Sequence, residues 1–302
     1  MTRALITGIG GFTGRYLADV LARNGHEVHG IVHGPGSNVH EPIPGVAYLY
    51  QADVADPSSI EEVVQEVRPQ WVAHLAAISF VGHADVEQVY RSNVVGTRQL
   101  LEALTRLSTR PSAILLASSA NVYGDAQEGA LDEAAPFAPA NDYGVSKVAM
   151  EYVASLYRTR LPTIIVRPFN YTGRGQRTQF IIPKIVDHAR RKASVIELGN
   201  VDVARDFSDV RAVAEIYYRL LAEPKALGGT FNVCSGSSVT LQEVLDIVGH
   251  LSGHHLEVRV NPAFVRANEV RLLKGSPARL ANTIGTLPSI PIEATLQWML
   301  EA

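Results

Sequence analysis

Ala4-Leu5-Ile6-Thr7-Gly8-Ile9-Gly10-Gly11-Phe12-Thr13-Gly14 decides the fold, because a short apolar run passes through glycines straight into the pattern Tyr16-Leu17, Val20-Leu21. A brief apolar run bounded by glycine predicts a buried strand, and apolar residues recurring at three and four predict an amphipathic helix. Gly8, Gly11 and Gly14 stand at G-x-x-G-x-x-G spacing, with Phe12 and Thr13 between the last two. Side-chain-free positions there let backbone amides and a helix N-terminus approach a pyrophosphate closely. Alone, such a turn is weak; at the head of alternating strands and helices it marks a dinucleotide site.

The alternation continues outward from this turn. Residues 27–32 predict a second strand, which ends in Val32-His33-Gly34-Pro35. No carboxylate stands where such a fold meets the adenosine ribose, so nothing repels a 2′-phosphate. His33, Ser37 and Asn38 can donate to one, so NADP(H) is expected over NAD(H). The expected Arg is absent, NAD(H) stays possible, and His33 reads equally as a solvated loop residue. Residues 46–51 predict the third strand, followed by Asp53 and Val54 at the adenine and by Asp56 as a helix cap. The fourth strand, 71–75, ends at Leu75-Ala76-Ala77, small enough for phosphates and ribose to lie against the backbone. One helix is expected over 86–107 with Asn93 in its middle, a placement that predicts a hydrogen bond to a loop or a kink. The fifth strand, 113–117, runs into Ser118-Ser119-Ala120-Asn121-Val122-Tyr123-Gly124, a hydroxyl-rich turn at the sheet edge where ligands sit. The sixth, 163–166, leaves through Arg167-Pro168-Phe169-Asn170.

These elements predict an α/β fold with a doubly wound parallel sheet. From Arg174 the rhythm changes, and the region to Phe207 reads as an inserted substrate segment. The expected division is a dinucleotide domain over 1–168 and 207–234, and a smaller, C-terminal substrate domain over 169–206 and 235–302. Thr240 with Glu243 predicts a capping box.

Asn141-Asp142-Tyr143-Gly144-Val145-Ser146-Lys147 puts a phenol and an ammonium four apart on one helix face. A neighbouring cation favours phenolate. Bringing a phenol from ~10 to neutrality takes about 4 kcal/mol, more than one exposed ammonium supplies, so a desolvated pocket and a second cation are needed. An oxidised nicotinamide ring is such a cation.

Composition narrows the setting. The chain has 302 residues, 46% hydrophobic and 19% charged, with net charge −3. That is ordinary for a globular enzyme. Its cations are scattered, so no nucleic-acid partner is expected. Cys234 is the single cysteine and reads as core filler; no metal site is expected, and a reducing, cytoplasmic location fits. No apolar run approaches a membrane span or a signal-peptide core, so no membrane partner is expected.

Together, Gly8-x-x-Gly11-x-x-Gly14, the serine turn at Ser119 and Tyr143-x-x-x-Lys147 resemble the extended short-chain dehydrogenase/reductases, of the epimerase/dehydratase kind, over nearly the whole chain. Arg167-Pro168-Phe169-Asn170, Leu198-Gly199-Asn200, Arg205-Asp206-Phe207 and Asn268-Glu269-Val270 look most like the GDP-sugar branch, which holds dehydratases and 4-keto reductases. The resemblance implies a Rossmann domain and catalysis by Ser119, Tyr143 and Lys147. Ser119 and Tyr143 would contact the sugar C4 oxygen, while Lys147 would bind the nicotinamide ribose and lower the Tyr143 pKa. Asn93 and Pro168 would join the cofactor site. Asn170, Gln179, Lys184 and Glu269 would hold substrate, with Arg205 and Arg266 on the nucleotide diphosphate.

The expected reaction is NADPH-dependent reduction of the 4-keto group of a GDP-6-deoxy-hexulose. The alternatives are an epimerase or 4,6-dehydratase that retains its NAD(P), and a catalytically idle nucleotide-sensing protein built on the same fold. Dehydratases of the family place a carboxylate directly after the catalytic hydroxyl, where this chain has Ala120 and Asn121; Asp125 or Glu133 could supply one from elsewhere. The resemblance further implies a homodimer through a four-helix interface, with Leu100-Leu101-Leu104 and Val148, Met150, Val153 and Leu156 as the expected stripes.

Overall fold

The computed structural model describes residues 1–33, 42–79, 85–124, 129–264 and 271–301. Ser37, Asn38, Asp125, Arg266 and Glu269 lie outside the described residues. β1 (Arg3–Thr7) passes through the glycine turn into α1 (Phe12–Arg23), then come β2 (Glu27–Val32), β3 (Tyr48–Gln51), α2 (Pro57–Val67) and β4 (Trp71–His74). A helical stretch follows in three parts: α3 (Val86–Tyr90), a π turn (Arg91–Val95) and α4 (Gly96–Thr105). After them come β5 (Ala113–Ala117), β6 (Ala130–Leu131), α5 (Asp142–Ser155) and β7 (Thr163–Pro168). The remainder holds β8 (Asn170–Thr172), α6 (Ile181–Arg190), β9 (Val195–Leu198), β10 (Ala204–Arg205), β11 (Phe207–Asp209), α7 (Val210–Ala222) and β12 (Thr230–Val233). Last are β13 (Val239–Thr240), α8 (Leu241–Ser252), β14 (Glu257–Val260), β15 (Leu272–Gly275), α9 (Ala278–Ile284) and α10 (Ile292–Leu300).

Seven strands form one sheet in the order β12-β7-β5-β4-β1-β2-β3, every neighbouring pair parallel. Alternate residues of a strand face opposite sides, and here both sides are dry. Ala4 and Ile6 of β1 join α1 and α7 in one core, while Leu5 joins α2, α4 and α5 in the other. This is the doubly wound Rossmann-type sheet. The chain turns in opposite directions from β1, to β2 on one side and β4 on the other, so a crevice opens at their carboxyl ends.

A third core joins α6, β9, α8 and α10. A small four-stranded sheet, β13-β10-β15-β6, lies outside the main one. Two predicted caps are present: Asp56 accepts from the Ser59 amide at 3.2 Å, and Thr240 and Glu243 form the full capping box.

Two expectations change. The helix expected over 86–107 is not uniform, because its middle is a π turn. Asn93, inside that turn, accepts from the Ile78 amide at 2.9 Å and donates to the Ile78 carbonyl at 3.1 Å and to Ser146 Oγ at 3.0 Å. A π turn adds a residue to the helical circuit, and here the adjustment accompanies an Asn turned inward to clamp the β4 exit loop. The expected interface stripe Leu100, Leu101 and Leu104 is fully buried within the chain. The exposed apolar residues of these helices are instead Val86, Val95, Val145, Tyr152 and Leu156.

Replacing Asn93 by Ala strands the Ile78 peptide groups, and each unsatisfied group costs ~1–3 kcal/mol. Asn93→Ala is therefore expected to lower the unfolding free energy by about that amount in urea titration, and an unchanged midpoint would contradict the clamp.

Candidate active site

A cavity of about 950 Å³ runs from the glycine turn, past the exits of β4 and β5, to the segment after β8. At its head, Gly8 has φ +72°, and a Cβ there would stand 2.7 Å from the Ala76 amide nitrogen. A Cβ on Gly14 would fall 2.6 Å from Ile9 Cα, so both positions require glycine. Gly11 caps α1 with no side-chain bond, leaving the first-turn amides of the helix facing the cavity with Phe12 and Thr13. Leu75, Ala76 and Ala77 form the opposite wall, with Val54 and His33 further out and Pro168 toward the centre. Nucleotide phosphates fit this cradle by backbone contact.

The two walls are pinned from below by a hydrogen-bond chain that sequence reading missed. Thr97 Oγ1 donates to the Asn93 carbonyl at 2.8 Å, so it can only accept from His74 Nε2, 2.9 Å away. His74 Nδ1 must then accept from Thr7 Oγ1 at 2.7 Å, which in turn accepts from the Ala76 amide at 3.2 Å. Burial pushes the His74 pKa down to about 3, keeping the imidazole neutral as this chain of donors requires.

The residues expected to be catalytic meet where β5 ends against α5. Asn141 caps α5 by accepting from the Gly144 amide at 2.9 Å, and Tyr143 and Lys147 project from the first turns into the cavity. Lys147 Nζ donates to the Ala117 carbonyl at 2.7 Å and lies 5.8 Å from the Tyr143 ring centroid. Burial brings the Lys147 pKa down to about 8, against the pull of Glu151. The Tyr143 phenol goes the other way: burial pushes it up to about 12, and the hydrogen bond from Ser119 only partly offsets this. The expected lowering of Tyr143 by Lys147 is thus not delivered by the chain's own groups. Ser119 follows β5 and accepts at Oγ from the Asn121 amide and from Asn121 Nδ2, each at 3.1 Å. Asn170 also lines the cavity, and its buried Nδ2 has no hydrogen-bond partner among the described residues, a donor left for a ligand.

The sequence matches the family described as GDP-mannose 4,6 dehydratase over residues 5–299. The chain belongs to that family. It is 32% identical to the GDP-6-deoxy-D-talose 4-dehydrogenase of Aggregatibacter actinomycetemcomitans over 284 residues, 94% of this chain and 91% of that one. It is 33% identical to the GDP-6-deoxy-D-mannose reductase of Pseudomonas aeruginosa over 310 residues, 99% and 96% of the two chains. Among solved structures, a Burkholderia cenocepacia J2315 protein given a provisional epimerase name is 47% identical with TM-score 0.94, covering 99% and 97%. The structure of RMD from Pseudomonas aeruginosa complexed with NADPH is 31% identical with TM-score 0.86, covering 100% and 98%. This is an NAD(P)-dependent enzyme family of extended short-chain dehydrogenase/reductase type, acting on nucleotide sugars.

Within this member of the family, the remaining predicted residues divide. Gln179 lines the cavity, as does Asp53, whose carboxylate accepts from the Ala55 amide at 2.8 Å and from Arg91 at 3.3 Å. Asn93 sits behind the wall as the clamp described above. Arg205 and Lys184 do not line the cavity. In β10 the Arg205 guanidinium donates to the Ala204 and Arg271 carbonyls, at 2.9 and 3.4 Å. Lys184 Nζ donates to the Glu197 carbonyl at 2.6 Å and lies 4.7 Å from the centre of the Phe264 ring.

Several cavity residues had no sequence signal, Tyr171, Tyr217 and Arg177 among them. Tyr171 stacks on Phe12 at 5.9 Å between centroids and shares a 2.7 Å hydrogen bond with Thr13; Tyr217 arrives from α7. Arg177 also lines the cavity; its carbonyl accepts from the Phe180 amide at 3.1 Å, while its side chain forms no hydrogen bond or ion pair with a described residue.

Behind Lys147, Glu151 receives a two-pronged bond from Arg167 at 2.9 and 2.7 Å and a third bond from Ser118 at 2.6 Å, all buried. Arg167 also donates to Tyr123 at 2.9 Å and to the Glu133 carbonyl at 3.1 Å. Removing one charge of such a pair strands the other, at a cost of ~3–5 kcal/mol. Glu151→Gln is expected to lose about that much stability by chemical denaturation. The Glu151→Leu/Arg167→Met double variant should be more stable than the single one, and a single variant as stable as the unmodified chain would contradict the pairing.

Proposed function

We propose that this chain reduces the 4-keto group of a GDP-6-deoxy-hexulose with NADPH, converting GDP-4-keto-6-deoxy-D-mannose to GDP-D-rhamnose or GDP-6-deoxy-D-talose. The observation that carries this reading is the turn after Ser119. Dehydration across C5 and C6 needs acid and base side chains beside the C4 site, and Ala120 and Asn121 offer a methyl group and a neutral amide. Glu133, the other described candidate, does not line the cavity and accepts from the Asn232 amide at 2.7 Å. The two relatives named for GDP-6-deoxy-sugar oxidoreduction support the substrate class, and the NADPH complex of the Pseudomonas aeruginosa neighbour supports the cofactor.

In this reading the glycine turn and the Leu75-Ala76-Ala77 wall hold the dinucleotide, residues 1–168 and 207–234 forming its domain, and 169–206 with 235–302 carry the sugar. Bound NADPH supplies the hydride to C4. Tyr143 gives its hydroxyl proton to the C4 oxygen, Ser119 donates a hydrogen bond to the same oxygen, and Lys147 holds a positive charge beside them. A phenol pushed up to about 12 is fully protonated at neutral pH, the state a reduction demands. Asn170 turns its spare amide to the sugar, Arg177 takes the diphosphate in place of Arg205, and His33 and Arg15, both on the cavity wall, meet the 2′-phosphate. A reducing, cytoplasmic setting belongs to this reading.

The provisional epimerase name of the 47% identical neighbour favours a second reading, in which the cofactor is retained and the hydride returns to the same sugar. Supplying GDP-4-keto-6-deoxy-mannose with NADPH, GDP-mannose with NADP⁺, and a panel of GDP-hexoses alone separates the two. NADPH consumption with the keto sugar only, at higher kcat/KM than with NADH, is expected. Formation of the 4-keto product from GDP-mannose, or epimer formation without net cofactor use, would overturn it. Tyr143→Phe is expected to lower kcat by ~10²- to 10⁴-fold.

The reading also includes a homodimer through α3, α4 and α5. Val145, Tyr152 and Leu156 recur along one side of α5, 40%, 63% and 63% exposed, with Val86 and Val95 exposed on the adjoining helical stretch. Light scattering at micromolar concentration should give twice the chain mass, and a monomer mass would contradict it.

A further inference from the structure

We propose that Asn121 is a positioning residue for this reaction: its side-chain amide holds the Ser119 hydroxyl so that its hydrogen can only be given, toward the Tyr143 oxygen and the substrate C4 oxygen. The role assigned to C4 rests on the reductase reading; the arrangement of Ser119 and Asn121 does not.

A serine hydroxyl has two lone pairs and one hydrogen. Ser119 Oγ receives the Asn121 backbone amide at 3.1 Å and the Asn121 Nδ2 group at 3.1 Å, so both lone pairs are engaged. What remains is the hydrogen. The turn that carries both residues cannot drift from α5, because Gly144 lets the Asn121 carbonyl lie directly against the first turn of that helix. A Cβ on Gly144 would stand 2.6 Å from that oxygen. Ser119 is itself buried.

The groups facing the phenol are few. Lys147 lies on its own helix with Nζ 5.8 Å from the ring centroid, and Asp142 on that helix is turned away to the Tyr90 hydroxyl at 3.1 Å. Tyr171 and Tyr217 face it from β8 and α7, and Ser119 from the end of β5. Among these, Ser119 is the hydrogen-bond donor that favours the ionised phenol. An amide at position 121 thus leaves Ser119 a donor, whereas a carboxylate there, able only to accept, would draw the Ser119 hydrogen to itself.

The test uses the full chain and its Asn121→Asp, Asn121→Ala, Ser119→Ala and Ser119→Ala/Asn121→Asp variants, each checked for an unchanged circular-dichroism spectrum. One readout is the titration of Tyr143 with NADP⁺ bound, followed by phenolate absorbance as the difference from a Tyr143→Phe chain. The other is kcat and KM for reduction of GDP-4-keto-6-deoxy-mannose by NADPH. Asn121→Asp is expected to move the Tyr143 midpoint to higher pH and to lower kcat by roughly 10²-fold, with KM changed far less, as for a lost transition-state donor. Asn121→Ala should lose less, since one donor to Ser119 survives. With Ser119 replaced by Ala, the Asp substitution should produce neither effect.

A midpoint shift that persists without Ser119 would mean that the carboxylate acts through space, and would overturn the proposal. So would an Asn121→Asp chain that matches the unmodified one. If the unmodified chain fails to turn over the keto sugar, the reductase reading falls, and the phenol titration still decides the role of Asn121.

Discussion

The carboxyl ends of β1 and β4 leave the sheet with their backbones almost touching, and the rest of the site depends on that approach. A single Cβ at Gly8 would collide with the Ala76 amide. Closeness alone would leave peptide groups unpaired in a dry place. Thr7, His74 and Thr97 supply the partners, and the chain continues through Asn93 to the loop after β4 and to Ser146 on α5. One run of hydrogen bonds therefore sets the width of the nucleotide crevice and the seat of α5 together. A uniform α-helix over 86–107 would trade away this connection, and the π turn at Arg91–Val95 is the form the backbone takes while making it.

Electrostatics at the reactive centre follow from burial more than from pairing. Tyr143 and Lys147 are both shifted by desolvation, the phenol upward and the ammonium downward. At neutral pH this leaves a protonated phenol beside a charged lysine. A carbonyl reduction starts from that state, because the proton must be present before the oxygen becomes basic. The reverse reaction needs phenolate, and so calls on a further positive charge near the ring. The lysine's own charge is sustained by Glu151, held in turn by Arg167 and Ser118, so the polar network behind α5 bears on the chemistry in front of it.

Membership of a family described by its dehydratases does not carry their reaction with it, since function lives in the site and not in the fold. Here the difference falls on one turn. In the proposed reading an amide stands after Ser119 where elimination would need an acid, and that amide donates to the Ser119 hydroxyl at 3.1 Å.

The sequence by itself determined the sheet and the glycine turn, and it pointed to Ser119, Tyr143 and Lys147, which line one cavity, because each is a local pattern: apolar runs of strand length, glycines at spacing three, and two side chains one helical turn apart. For Asn93 it offered both a structural hydrogen bond and a place in the cofactor site; the side chain bonds Ile78 and Ser146 and does not line the cavity. What only the tertiary structure decided were pairings between residues far apart in the chain. His74 meets Thr7 and Thr97, Tyr171 meets Phe12 and Thr13, and Glu151 meets Arg167, none of them at a spacing that a linear pattern marks. The same limit misdirected two expectations. Leu100, Leu101 and Leu104 look identical in sequence whether a stripe faces its own sheet or another subunit, and packing assigned them to the sheet. Arg205 looked like an anion anchor beside an apolar stretch, yet it does not line the cavity and its guanidinium donates to carbonyls of its own small sheet.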